Sequence, residues 1–220
     1  MNSSVPVPLY EAPLFPYNIG ISVIWREKPM SECWMKEVTV GPIGTCCYLV
    51  GQADRRDCVV IDPGAEAERI LAAAEGREIA AILLTHGHFD HIGAVGALME
   101  KQAPRLFVHP LDRPMLTDAA LNASRVLLGR SITAPDATDL AREGDSLALA
   151  GLHIQVLHTP GHTPGSVCYR IGDLLFTGDT LFESGWGRTD LPGGSERDMA
   201  ASLRRLIPLA RNLPIYPGHA

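Results

Sequence analysis

Short runs of apolar and β-branched residues, set off by turn residues, recur along most of this chain, with longer Ala-, Leu- and Glu-rich stretches between them. Runs of the first kind suit strands, and stretches of the second suit helices. On this pattern strands are expected over 36–40, 46–50 and 58–61, the last closing on the turn signal Ile61-Asp62-Pro63-Gly64. A helix is expected over 66–75, a buried strand over 80–85, a helix over 92–102 that Pro104 stops, and a strand over 106–109. Residues 111–128 suggest one or two short helices, and 129–139 a polar loop. Strands follow over 145–149, 153–158, 166–171 and 173–176, then a helix over 196–207 and a last strand over 214–216. Strands in two batches, with helices between and after them, predict a layered α/β protein of two sheets with outer helices. Ahead of it, residues 1–30 carry Pro6, Pro8, Pro13 and Pro16 and are expected to form an extended or disordered arm, leaving one domain over 31–220.

Composition narrows the partner. The formal net charge is −6, and no basic run stands out, which argues against nucleic acid or an anionic membrane surface and leaves a small molecule. No apolar stretch approaches the roughly 20 residues of a membrane span, and the proline-broken N-terminus lacks the basic start of a signal peptide. Five cysteines, at 33, 46, 47, 58 and 168, show no CxxC spacing, so a disulfide framework is not expected and a cytoplasmic location is the default. Cys46 and Cys47 lie within an apolar run and read as core strand residues.

The candidate chemistry centres on Thr85-His86-Gly87-His88-Phe89-Asp90-His91. Three histidines and an aspartate within six positions arise by chance on the order of once in a thousand chains of this size. The cluster follows the apolar strand Ala81-Ile82-Leu83-Leu84 and precedes a helix, which places it on a loop where a rigid sheet can aim several side chains at one point. Neutral imidazoles and a carboxylate are ligands that suit Zn²⁺ or Fe²⁺. Three remote residues could add to them: His162 in Thr159-Pro160-Gly161-His162, Asp179 in Phe176-Thr177-Gly178-Asp179, and His219 in Tyr216-Pro217-Gly218-His219. Each follows an expected strand and a glycine that lets the backbone approach a metal closely.

These motifs resemble the metallo-β-lactamase-fold hydrolase superfamily. The stretch 176–182, with Gly187-Arg188-Thr189-Asp190-Leu191-Pro192-Gly193-Gly194, is similar to its single-domain glyoxalase II-like branch, the hydroxyacylglutathione hydrolases. The similarity runs from about Val38 to His219. It implies a four-layer αβ/βα sandwich with two divalent metals at one edge, Zn²⁺ first among the candidates and Fe or Mn next. The first would be held by His86, His88 and His162, the second by Asp90, His91 and His219, with Asp179 bridging. It also implies hydrolysis of a thioester by a metal-bound hydroxide, which needs no dedicated base, with Asp90 and Asp179 as its catalytic carboxylates.

Asp62 resembles a family position that orients a ligand imidazole, although an Asp before Pro also serves a turn. Arg188 either pairs with Asp190 or meets an anionic substrate. Tyr48, Asn122 and Ser124 are candidates for the entrance, whereas His109, His153 and His158 read as packing or surface residues. No stretch remains for the helical C-terminal domain of larger glyoxalase II enzymes, so glutathione specificity is weakly supported. His219 is penultimate, where a ligand is expected to fray and the second metal to be partly occupied. The alternatives are a mononuclear non-haem iron persulfide dioxygenase built on His86, His162 and Asp179, and a lactonase or β-lactamase; a bridging Asp179 argues against typical β-lactamases. Association into a homo-oligomer is left open.

Overall fold

A computed structural model describes residues 33–220, so the expected arm over 1–30 lies outside the described residues. Strand β1 (Cys33–Val40) turns back through Gly41 and Gly44, both at positive φ, into β2 (Thr45–Gln52). Seven of the eight β2 residues are buried, because its unbroken apolar run is covered on both faces. β2 pairs antiparallel with β3 (Asp57–Ile61). From there the pairing is parallel, through β4 (Glu78–Leu83), β5 (Arg105–Val108) and the two-residue β6 (Asp139–Leu140). Parallel neighbours need crossovers, which α1 (Ala67–Ala73) and α3 (Val95–Gln102) supply. The order in this sheet is β1-β2-β3-β4-β5-β6.

The second sheet has the order β11-β10-β9-β8-β7, made of β7 (Ser146–Leu149), β8 (Leu152–His158), β9 (Val167–Ile171), β10 (Leu174–Gly178) and β11 (Ile215–Pro217). Side chains alternate between faces along each strand, and the two-residue period divides the core into layers. Tyr48, Val50, Val59, Ile61 and Leu83 meet Ile154, Val156, Val167, Tyr169 and Phe176 between the sheets. Their neighbours Leu49, Val60, Ile82 and Leu106 face outward onto Ile70 of α1 and Leu98 of α3. On the other side Cys168 and Leu175 pack against Met199, Leu203 and Leu206 of α5 (Glu196–Ala210). The result is the expected four-layer sandwich of two mixed sheets with outer helices.

Local departures have physical causes. The helix expected over 92–102 is two pieces, α2 (Phe89–Ile92) and α3, broken at Gly93-Ala94. There the chain packs on the turn after β3: Ala94 N donates to Pro63 O (2.9 Å), and a Cβ at Gly93 would overlap Gly64 O. The stretch 111–128 forms a 3₁₀ turn at Arg113–Leu116 and α4 (Ser124–Leu128). The 129–139 loop ends in β6, too short to leave a pattern. All five cysteines are free, and burial raises the thiol pKa of Cys46 to about 11. No described helix is long and apolar enough to cross a membrane.

Candidate metal centre

Seven side chains converge at one edge of the sandwich because each lies just past the C-terminal end of a strand. His86 and His88 follow β4, and Asp90 and His91 belong to α2 immediately after. His162 lies between β8 and β9, Asp179 follows β10, and His219 follows β11. The structure brings them together as two adjacent groups. In one, His86, His88 and His162 offer ligand atoms that lie within 4.8 Å of one another, and in the other Asp90, His91 and His219 do the same. His88 Nδ1 is 2.8 Å from His162 Nε2. Asp90 Oδ2 is 3.3 Å from His91 Nε2 and 3.2 Å from His219 Nε2. The Asp179 carboxylate reaches both groups: Oδ2 is 3.4 Å from His162 Nε2 and 3.6 Å from His219 Nε2, while Oδ1 is 3.5 Å from His91 Nε2.

Outer contacts decide which imidazole nitrogens face inward with a lone pair. Thr85 Oγ1 gives its single proton to Asp62 Oδ2 (2.6 Å), so at 3.1 Å it accepts from His86 Nδ1 and leaves Nε2 bare. His162 Nδ1 donates to the Arg188 carbonyl (2.7 Å), which likewise bares its Nε2. His91 Nδ1 lies 3.0 Å from Asp62 Oδ2, turning its Nε2 towards Asp90 and Asp179. Asp62 also accepts from Thr85 N (2.8 Å), so it is a hub that orients two histidines. A third possible grouping, Asp62 with His86 and His91, uses a carboxylate whose oxygens already accept from Thr85.

The donor set fits divalent ions. Nε2 of His86, Nε2 of His91 and Oδ1 of Asp179 are buried and have no hydrogen-bond partner among the described residues. Leaving such atoms unpaired costs about 1–3 kcal/mol each, a cost that a bound cation removes. Burial, followed by the neighbouring imidazoles, holds His86 and His88 well below the usual histidine range, so both are neutral, as ligands must be. At His91 burial also opposes charge, but Asp90, Asp62 and Asp179 outweigh it and raise the pKa well above the usual value. A field that favours a proton there favours a metal cation.

The backbone corrects the expected fraying of His219. Gly218 N donates to Gly178 O (2.9 Å), and Cys46 N donates to Gly218 O (2.7 Å), pinning the segment between β2 and β10. Only glycine fits at 218, because a Cβ would overlap Asp179 Oδ1. The entrance candidates are also corrected. Tyr48 is buried between the sheets and donates to Pro217 O (2.7 Å). Asn122 and Ser124 are buried loop braces, with Asn122 Nδ2 donating to Met115 O and Ile132 O and Ser124 Oγ accepting from Ile132 N. Arg188 makes a two-pronged ion pair with Asp190 (2.6 and 2.7 Å), and its carbonyl rather than its side chain touches a ligand. The His109 and His158 rings stack on each other with centroids 4.1 Å apart, and His153 is exposed on β8.

Sequence reasoning missed Thr85, Thr45 and Asp112. Thr85 stood directly before the cluster, where a hydroxyl could have been noticed. Thr45 Oγ1 donates to Asp90 Oδ2 (3.3 Å) from a strand end that carries no signal. Replacing Asp62 by alanine strands Thr85 N and Thr85 Oγ1 and removes the carboxylate that faces His91 Nδ1. It is expected to cost about 3 kcal/mol of stability, read as a lower urea midpoint at unchanged slope.

A buried edge lined by imidazoles and carboxylates, on an α/β sandwich of this topology, is a site suited to metal ions. The chain belongs to the metallo-beta-lactamase superfamily, whose family model matches residues 40–219. It is 38% identical over 200 residues to the probable metallo-hydrolase YqgX of Bacillus subtilis, covering 89% of each chain. It is 35% identical over 180 residues to the hydroxyacylglutathione hydrolase GloC of Haemophilus influenzae, covering 79% of this chain and 84% of that protein. Among solved structures, the B3 metallo-beta-lactamase BLEG-1 superposes with a TM-score of 0.80 at 39% identity, over 85% of this chain and 92% of that one. The di-iron-bound form of TTHA1623 superposes with a TM-score of 0.75 at 42% identity, over 84% and 92%.

Proposed function

We propose that the protein hydrolyses a small thioester of hydroxyacylglutathione type at a centre of two divalent metal ions. The observation that carries this reading is the Asp179 carboxylate, which lies within 3.4–3.6 Å of ligand nitrogens from both groups and so suits a bridge. His86, His88 and His162 would hold one ion and Asp90, His91 and His219 the other. Bound there, the ions supply Lewis acidity that polarises a carbonyl and brings the pKa of water to about 7.

The protein's own residues set the rest. Thr85 Oγ1 and the Arg188 carbonyl fix the outward protons of His86 and His162, so these two imidazoles have no inward proton to give a leaving group. A thiolate leaves without one, unlike an amine, and the match favours a thioester. The resemblance to GloC points the same way. Arg188 would bind a substrate carboxylate only by giving up Asp190. The ligand set suits Zn²⁺ first, with iron supported by the di-iron form of TTHA1623 and Mn²⁺ third. The second ion would be the weaker one, since the His219 side chain is 24% exposed against 4% for His162.

A substrate panel tests the reading. The purified protein should cleave a lactoylglutathione-type thioester and consume no oxygen with glutathione persulfide, and a β-lactam should turn over poorly. The β-lactam arm matters because of the BLEG-1 likeness. Oxygen uptake with persulfide and an uncleaved thioester would replace the proposal with the dioxygenase, and fast β-lactam turnover without thioester cleavage would replace it with a lactamase.

A further inference from the structure

Asp112 is fully buried just after β5, far in sequence from every ligand. Its carboxylate takes three hydrogen bonds, all from neutral donors. Gly87 N donates to Oδ2 (3.0 Å), Thr163 Oγ1 donates to Oδ2 (2.6 Å), and Gly165 N donates to Oδ1 (2.6 Å). Gly87 sits between His86 and His88, and Thr163 follows His162. One side chain therefore ties together the two loops that carry all three histidines of the first group.

The tie is close on both sides. A Cβ at Gly165 would lie 2.6 Å from Asp112 Oδ1, and one at Gly87 would lie 2.6 Å from the Met115 Cβ. Thr163 spends its proton on Asp112, so its oxygen accepts from Ser166 Oγ (2.7 Å), which in turn accepts from Thr163 N (3.1 Å). That closed ring leaves the His162 loop one arrangement. A carboxylate so deeply buried is stable only while these charge-assisted bonds hold. The partners of Asp62, by contrast, are Thr85 and His91, and no hydrogen bond or ion pair joins Asp112 to Asp90, His91 or His219 among the described residues.

We infer that Asp112 is a positioning residue for one ion of the pair: it sets the spacing of His86, His88 and His162 and leaves the second group untouched. This rests on reading those three histidines as the ligands of one ion. The test measures metal affinity, in metal-free protein titrated with Zn²⁺ against a chromogenic chelator. A His219→Ala background isolates the first group, and a His86→Ala/His88→Ala double background isolates the second. Asp112→Asn should weaken Zn²⁺ binding about 10- to 100-fold in the first background and leave it unchanged in the second. If Asp112→Asn does not fold by circular dichroism, Thr163→Val should give the same selective loss, and Thr163→Ser should restore affinity. Equal weakening in both backgrounds, or none in either with the fold intact, would overturn the inference. Protein without these substitutions that binds no Zn²⁺ would overturn the metal reading, and the inference with it.

Discussion

Replacing Asp179 by alanine is expected to lower thioester hydrolysis about a thousandfold, near 4 kcal/mol of transition-state stabilisation, and to drop metal content from two ions to one. The size follows from position. The carboxylate lies within 3.6 Å of ligand nitrogens from both groups. Without it, each group keeps three ligands but nothing holds the ions at a shared distance. Asp179 O accepts from Gly187 N through the backbone, a bond that alanine preserves, so the loop should stay in place. Metal analysis beside steady-state kinetics checks this. Full activity with two ions bound would exclude the bridging role.

His88→Ala carries the second large effect and separates the two chemistries the ligand set allows. A dinuclear hydrolase needs His88 to complete its first ion, so hydrolysis should fall about a thousandfold. A mononuclear iron enzyme using His86, His162 and Asp179 keeps its facial triad in this variant and should retain oxygen-dependent activity. His88 Nδ1 lies 2.8 Å from His162 Nε2, so its loss acts directly on the neighbouring ligand. Combined with Asp179→Ala it should cost little more than either change alone, because ligands of one centre act as a unit. Kinetics of the two single variants and the double variant provide the comparison.

The convergence of the candidate ligands was legible in the sequence because of how metal sites are built on sheets. Four lie at one strand-to-helix junction, His86 and His88 in the loop and Asp90 and His91 in α2, and each remote one follows a strand and a glycine. Gly218 shows why that glycine matters, since a side chain there would overlap Asp179. The supporting residues were harder to see. Asp112 acts on loops 25 and 51 residues away, partly through backbone amides that no sequence pattern marks. Arg188 drew attention for its charge, yet its carbonyl makes the contact. Tyr48 stood only as a candidate for the entrance, because a continuous apolar strand hides which residues face the opposite sheet; its ring packs at 5.2 Å on Phe176. The strands were recovered as apolar runs, whereas β6 was too short and the break at Gly93 depends on a turn from another part of the chain.

The central claim is a two-ion centre that cleaves a thioester, and a titration tests it most directly. Metal-free protein is supplied with increasing Zn²⁺ while bound metal and lactoylglutathione-type hydrolysis are followed together. Binding of two ions per chain is expected, with activity rising until the second is bound. Saturation of both binding and hydrolysis at one ion per chain would contradict the account.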